Sequence, residues 1–230
     1  MVISGMQKLT LLDYPGKTAC LLFTQGCNFR CPFCHNKDLL QNEIPNEIVS
    51  EADVFKYLNK RQGILDGVCI TGGEPLLQKD IYDFIKKIKE MGFLVKLDTN
   101  GSSPGTLKKL IDANLLDYIA MDVKDDFESY DKTSGIAMIN IENIKKSIEI
   151  IENSSVEYEF RTTVVKELHD YSHLKHICEY IGPKAKYYIQ NYRDCETVLN
   201  KGLTGFSEIE LFDIEKRLKV TYPNVMIRGI

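Results

Sequence analysis

The sequence predicts an α/β fold: one domain over residues 1–230, arranged as an open, partial (β/α)6 barrel of the TIM-like kind. Three observations carry this. Short, β-branched apolar runs alternate with longer amphipathic ones along most of the chain. Strands separated by helices pair in parallel, because parallel neighbours need a crossover connection. About six such units fit into 230 residues, short of the eight units and roughly 250 residues of a complete barrel. A doubly wound sheet is the alternative arrangement of the same units.

The expected strands are 17–24 (KTACLLFT), 67–71 (GVCIT), 93–99 (FLVKLDT), 117–122 (DYIAMD), 157–165 (EYEFRTTVV), 186–190 (KYYIQ) and 224–228 (NVMIR). A helix over 50–61 opens on Ser50 as N-cap, with Glu51 and Asp53 in the first turn, where negative charge suits the helix dipole. The next, over 79–91, places Ile81, Phe84, Ile85 and Ile88 at helical spacing and stops before Gly92. Ser103-Pro104 opens a helix over 104–113, as a cap followed by proline at the first helical position. Further helices fit 140–153, 170–181 and 207–219, the last with Ser207 and Glu210 spaced as a capping box.

Composition bounds the function. A formal net charge of −4 lacks the basic excess of a nucleic-acid-binding protein, and no apolar run reaches the roughly 20 residues that span a bilayer. The first residues lack signal-peptide features, so the expected compartment is cytoplasmic, where thiols stay reduced. Seven cysteines cannot all form intrachain pairs. Cys20, Cys69 and Cys178 fall in apolar strand or helix patterns and read as buried small hydrophobes, whereas Cys195 falls in a polar loop.

The other three, Cys27, Cys31 and Cys34, form C-x₃-C-x₂-C inside a loop at 25–37. A structural zinc site usually takes four protein ligands, so three closely spaced thiols suggest a metal centre with one position open. Soft thiolates suit an iron–sulfur cluster, zinc or copper(I). His35 is the rival fourth ligand for zinc, although residues adjacent in sequence chelate one tetrahedral ion poorly.

In either fold, ligands bind beyond the carboxyl ends of the strands. The cysteine loop follows the first expected strand, GGEP (72–75) the second, DTNG (98–101) the third, MDVK (121–124) the fourth and QNYR (190–193) the sixth. Gly72 and Gly73 allow close backbone approach, and Glu74 offers a carboxylate at the mouth to a cationic group. Alone, GGEP is equally a strand-to-helix turn. Asp98, Asn100 and Asp122 supply short polar groups for hydroxyls or a small cation, and Lys124 a point charge for a carboxylate. His169, His173 and His176 read as a solvated helix face without a partner carboxylate.

These motifs together resemble the radical SAM superfamily: CNFRCPFC resembles its cluster motif and GGEP its SAM amino-group motif. The stretch LLDYPGKTACLLFTQGCNFRCPFCHN is similar to the opening of anaerobic ribonucleoside-triphosphate reductase activating proteins, and also to pyruvate formate-lyase activating enzymes. The likeness continues through TGGEPLLQ, LDTNG, MDVK, RTTVV and IQNYR. It implies a radical SAM type partial (β/α)6 barrel in which Cys27, Cys31 and Cys34 hold a 4Fe–4S cluster and S-adenosylmethionine chelates the open iron. Reductive cleavage would then give a 5′-deoxyadenosyl radical that removes a hydrogen atom from a glycine of a large partner enzyme. The implied partners are a glycyl-radical enzyme, foremost an anaerobic ribonucleotide reductase, and an electron donor such as flavodoxin or ferredoxin.

By the same resemblance, Phe33, Cys34 and His35 lie on the adenosine side, and Gly72, Gly73 and Glu74 receive the methionine amino group. Asp98, Asp122 and Lys124 surround the ribose and carboxylate. In formate-lyase activators the residues matching Asp98, Thr99 and Asp122 hold a monovalent cation, which makes one a candidate here. IQNYR departs from that pattern, which has a SAM-contacting histidine; Gln190, Tyr192 and Arg193 are the candidates to replace it. The chain lacks an insertion with extra cysteine clusters between the triad and GGEP, unlike two-cluster activases. The resemblance assigns none of its residues a catalytic role beyond cofactor binding. The alternatives are a radical SAM enzyme acting on a small molecule, as 7-carboxy-7-deazaguanine synthase does, and a non-enzymatic metal module.

Overall fold

Residues 1–41 and 48–229 are described by the computed structural model. The chain enters on β1 (Ile3–Thr10), which pairs antiparallel with β2 (Ala19–Thr24). From there every neighbour is parallel: β3 (Gly67–Gly72), β4 (Leu94–Thr99), β5 (Tyr118–Asp122), β6 (Glu157–Val164), β7 (Tyr187–Asn191) and β8 (Val225–Arg228). Sheet order equals chain order, and β1 and β8 are its two unjoined edges. The crossovers are α1 (Glu51–Asn59), α2 (Ile81–Glu90), α3 (Pro104–Asp112), α4 (Tyr130–Ser134) with α5 (Ile141–Glu152), α6 (Tyr171–Ile181) and α7 (Glu208–Lys219). Each of β2 to β7 is thus followed by helix, giving six β/α units in an open barrel rather than a doubly wound sheet.

Local chemistry explains the boundaries. Ser50 accepts from the Asp53 N–H ahead of α1, Asp170 accepts from the Ser172 and His173 N–H groups ahead of α6, and Ser207 with Glu210 closes a capping box on α7. Ser103 does not cap α3 with its side chain; Pro104 alone starts that helix. Helix α2 buries Ile81, Phe84, Ile85 and Ile88 against the sheet. Each such side chain contributes roughly 1.5–3 kcal/mol of transfer free energy.

Among the described residues, one strand and one α-helix lie outside the sequence expectation. Strand β1 carries Gly5, Gln7 and Lys8 and is largely exposed over Lys8 and Leu9, so it reads as polar chain; it is a strand because β2 supplies a pairing edge. The five-residue α4 is pinned by Tyr130, which is fully buried. Cys20, Cys69 and Cys178 are buried and Cys195 is exposed. Among the described residues, no helix is long and apolar enough to cross a membrane.

Side chains alternate across each strand, so β4 sends Val95 and Leu97 to one face and Lys96 and Asp98 to the other. The same period on β6 puts Glu159 and Arg161 together, and parallel register sets Asp122 beside Arg161. One face of the sheet therefore gathers charge toward the carboxyl ends of its strands.

Candidate active site

The loops beyond β2 to β7 surround a cleft of about 230 Å³ whose lining includes Cys27, Cys31, Phe33, Cys34 and His35 from the cysteine loop. Gly72 and Gly73 come from the end of β3, Asp98, Thr99 and Asn100 from β4, Asp122 and Lys124 from β5, Arg161 and Thr163 from β6, and Gln190 from β7. All five motif loops expected on one rim meet there.

Cys27 and Cys31 are buried and Cys34 half-buried. Burial pushes the Cys27 thiol up to about 11 and the Cys31 thiol up to about 12, against the pull of Lys124. The backbone N–H of Phe29 donates to Cys27 Sγ at 3.4 Å, a contact that favours thiolate. Desolvated thiols of this kind become anionic when a metal takes them as ligands. The lining holds three thiols and no fourth among the described residues, and His35 Nε2 is already engaged at 2.8 Å by the Arg193 carbonyl oxygen. The donor set fits a centre held at three corners.

The glycine motif abuts this loop. Gly72 has φ of 110°, and a Cβ there would lie 2.7 Å from the Thr24 carbonyl oxygen. A Cβ on Gly73 would meet the Gly26 carbonyl oxygen and lie 2.6 Å from its carbon. The Glu74 N–H donates to that same oxygen at 2.8 Å, and the Gly73 N–H to Thr24 O at 2.9 Å. Backbone thus lies directly on backbone between the cysteine loop and GGEP.

Glu74 is a correction. Its carboxylate does not stand at the mouth; it is fully buried, and the cleft is lined by Gly72 and Gly73. Its Oε1 accepts from the Leu76 N–H at 3.0 Å and the Thr99 hydroxyl at 2.8 Å, and its Oε2 from the Asn100 N–H at 2.7 Å. Burial raises this carboxyl to about 7 despite those donors. It therefore braces GGEP to DTNG. Asn100 extends the brace: its Nδ2 donates to Asn28 Oδ1 at 3.0 Å and its Oδ1 accepts from the Ser102 N–H.

The residues named for a monovalent cation are engaged by protein side chains. Asp98 is paired with Lys96 and, at 3.4 Å, with Arg161. Asp122 receives Arg161 Nε at 2.8 Å and Lys124 Nζ at 3.0 Å, while the Thr99 hydroxyl donates to Glu74. Three side-chain cations thus surround the two carboxylates. Burial works against the charge on Asp122, but Arg161 and Lys124 outweigh it and hold the carboxyl far below its ordinary range. Burial likewise opposes the charge on Lys124, and Asp122 and Cys31 reverse it, keeping the ammonium charged.

Sequence reasoning missed Lys96 and Arg161. The signal was the period-two pattern K-x-D in β4 and E-x-R in β6, which puts ions on an interior face. Beyond β7, Gln190 lines the cleft, whereas the Arg193 side chain turns to the Gly229 carbonyl oxygen and Tyr192 packs its buried ring 5.5 Å from His35. The segment 193–200 straps the cysteine loop, with the Leu199 N–H donating to Cys34 O and the Asn200 N–H to Pro32 O. The histidines correct a second expectation: they do have partner carboxylates, Asp125 and Asp126, and His169 is buried.

Comparison with known proteins agrees with this geometry. A model of the radical SAM superfamily, whose enzymes use a 4Fe–4S cluster and S-adenosylmethionine, matches residues 21–181. A Methanocaldococcus jannaschii protein whose assigned name is glycyl-radical enzyme activating enzyme is 34% identical, covering 100% of this chain and 96% of its own. The pyruvate formate-lyase-activating enzyme of Clostridium pasteurianum is 28% identical over 94% of this chain and 89% of its own. In fold, the chain is similar to a radical SAM methyltransferase from Sphaerobacter thermophilus, with a TM-score of 0.75, 12% identity, and coverage of 96% of this chain and 68% of that one. The chain belongs to the radical SAM superfamily of enzymes.

Proposed function

We propose that the chain activates a glycyl-radical enzyme, and that its partner is an anaerobic ribonucleoside-triphosphate reductase. The single observation that carries the activase reading is the 34% identity with the M. jannaschii relative across the whole of this chain. The reductase as partner rests on the opening stretch LLDYPGKTACLLFTQGCNFRCPFCHN and on the lack of a cysteine-bearing insertion before GGEP.

In this reading Cys27, Cys31 and Cys34 hold the cluster, and the rest of the lining holds S-adenosylmethionine. Bound and reduced, such a cluster would supply one electron to a sulfonium C–S bond, whose cleavage gives methionine and a 5′-deoxyadenosyl radical. The chain's own residues position and shield. The backbone of Gly72 and Gly73, free of Cβ atoms, receives the methionine ammonium, while Glu74 acts behind them as a positioning residue. Lys124 and Arg161 present positive charge to the methionine carboxylate, and the braced pair Asp98 and Asp122 keeps both cations aimed. Asn100 and Gln190 offer hydrogen bonds toward the ribose, with Phe33, Cys34 and His35 beside the adenosine. His35 is aimed by its bond to the Arg193 carbonyl. A flavodoxin or ferredoxin supplies the electron.

The test mixes anaerobic, cluster-loaded protein with S-adenosylmethionine, reduced flavodoxin and a candidate reductase. Electron paramagnetic resonance then shows a carbon-centred glycyl doublet on the reductase that needs every component. Cleavage of S-adenosylmethionine without any such doublet, across a panel of glycyl-radical enzymes, overturns the activase reading in favour of a small-molecule substrate.

A further inference from the structure

We propose that Asp125, Asp126 and His173, with His176 behind Asp126 as its outer partner, form a second metal site, for a divalent transition-metal ion, outside the cleft and independent of how the cleft is read. None of the four lines the cleft. The two aspartates follow Lys124 beyond β5, and α6 presents His173 and His176 one turn apart on the face turned to them.

The atoms converge. His173 Nδ1 lies 3.1 Å from Asp125 Oδ1, and His176 Nδ1 lies 3.1 Å from Asp126 Oδ2. One ligand atom each from Asp125, Asp126 and His173 falls within 4.8 Å of the others. A cavity of about 40 Å³ opens beside them, walled by Phe127, Ile177 and Tyr180. That space suffices for an ion.

A second observation points to a ligand. Asp125 is fully buried and its Oδ2 has no hydrogen-bond partner, while His173 Nδ1 stands 3.1 Å from Oδ1 without forming a hydrogen bond. A buried carboxylate oxygen left bare is costly. Among the described residues, only imidazoles come within ion-pair distance of Asp125 and Asp126. His169 supplies no charge: its Nδ1 accepts from the Val165 N–H, its Nε2 donates to the Lys124 carbonyl oxygen, and burial keeps it neutral. Mixed imidazole and carboxylate ligands select zinc and its first-row neighbours. An ion there would tie α6 to the loop that carries Lys124.

The test equilibrates cluster-loaded protein with zinc sulfate, removes free metal, and measures iron and zinc together. We expect about one zinc per chain above an unchanged iron content. X-ray absorption at the zinc edge should show nitrogen and oxygen near 2.0–2.2 Å and no sulfur shell near 2.3 Å. Asp125→Asn and the more exposed His176→Gln should each weaken zinc binding by about tenfold or more with iron retained, the second guarding against misfolding of the first. Zinc absent after equilibration, zinc bound through sulfur, or zinc retained in full by both variants would overturn the site.

Discussion

Replacing Gly73 by alanine tests how the cysteine loop and the glycine motif support one another. The new Cβ would run into the Gly26 carbonyl oxygen and lie 2.6 Å from its carbon, where ordinary contact begins near 3.4 Å, so the backbones must part by at least about 0.8 Å. No rotamer can absorb this, because the opposing atoms are backbone. Separation also weakens the bond from the Glu74 N–H to Gly26 O. Overpacking of about 1–3 kcal/mol and a lost hydrogen bond of about 1 kcal/mol sum to about 2–4 kcal/mol. At about 2–4 °C per kcal/mol for a chain of this size, Tm of the metal-free protein should fall by about 4–16 °C. Gly26 adjoins Cys27, and metal ligands tolerate only about 0.2 Å of displacement, so reconstitution should leave less iron in the variant. Calorimetry and iron analysis measure both. Gly105→Ala is the control: it lies in α3 with open space around its Cβ and should stabilise by about 0.5–1 kcal/mol. A Gly73→Ala protein with wild-type Tm and iron content would refute the backbone-on-backbone argument.

Other consequences follow from the buried charges. In metal-free protein at pH 8, Cys27 near 11 carries about 100-fold less thiolate than a thiol near 9, so iodoacetamide should label exposed Cys195 first; mass spectrometry showing Cys27 labelled as fast would contradict this. Glu74 has its folded pKa raised, from about 4.5 to about 7, so the folded state binds more protons between those values. Its contribution is fully present below pH 4.5 and declines through pH 7, by about 3 kcal/mol at most, and urea titrations should show that slope diminished in Glu74→Gln. Lys96→Met removes one charged hydrogen bond from Asp98 but leaves it Arg161, and should cost about 1.5–3 kcal/mol, whereas Lys96→Met with Asp98→Leu should recover most of it in the same denaturation assay.

Much of this molecule was legible before its structure. The helix starts at Ser50, Asp170 and Ser207 lie within a residue of expectation because side-chain caps are written locally. The rim followed from strand order alone, since motifs after successive parallel strands must share an end. Three features stayed hidden for a common reason: they depend on contacts distant in sequence. Strand β1 needs the edge of β2, and the partners of His173 and His176 come from beyond β5. Glu74 looks like a ligand in sequence, and only its burial beneath Thr99 and Asn100 reveals a brace. Arg161 and Lys96 were visible as letters, but their role required knowing which face of each strand turns inward.

In the proposed function three thiols, Cys27, Cys31 and Cys34, hold a reducible cluster and leave room beside it for S-adenosylmethionine. The most direct measurement is 5′-deoxyadenosine released by anaerobically reconstituted, reduced protein, set beside Cys31→Ala. The wild type should release methionine and 5′-deoxyadenosine in equal amounts while the variant releases neither. Equal release by both proteins, or none from wild type carrying a full cluster, would contradict the account.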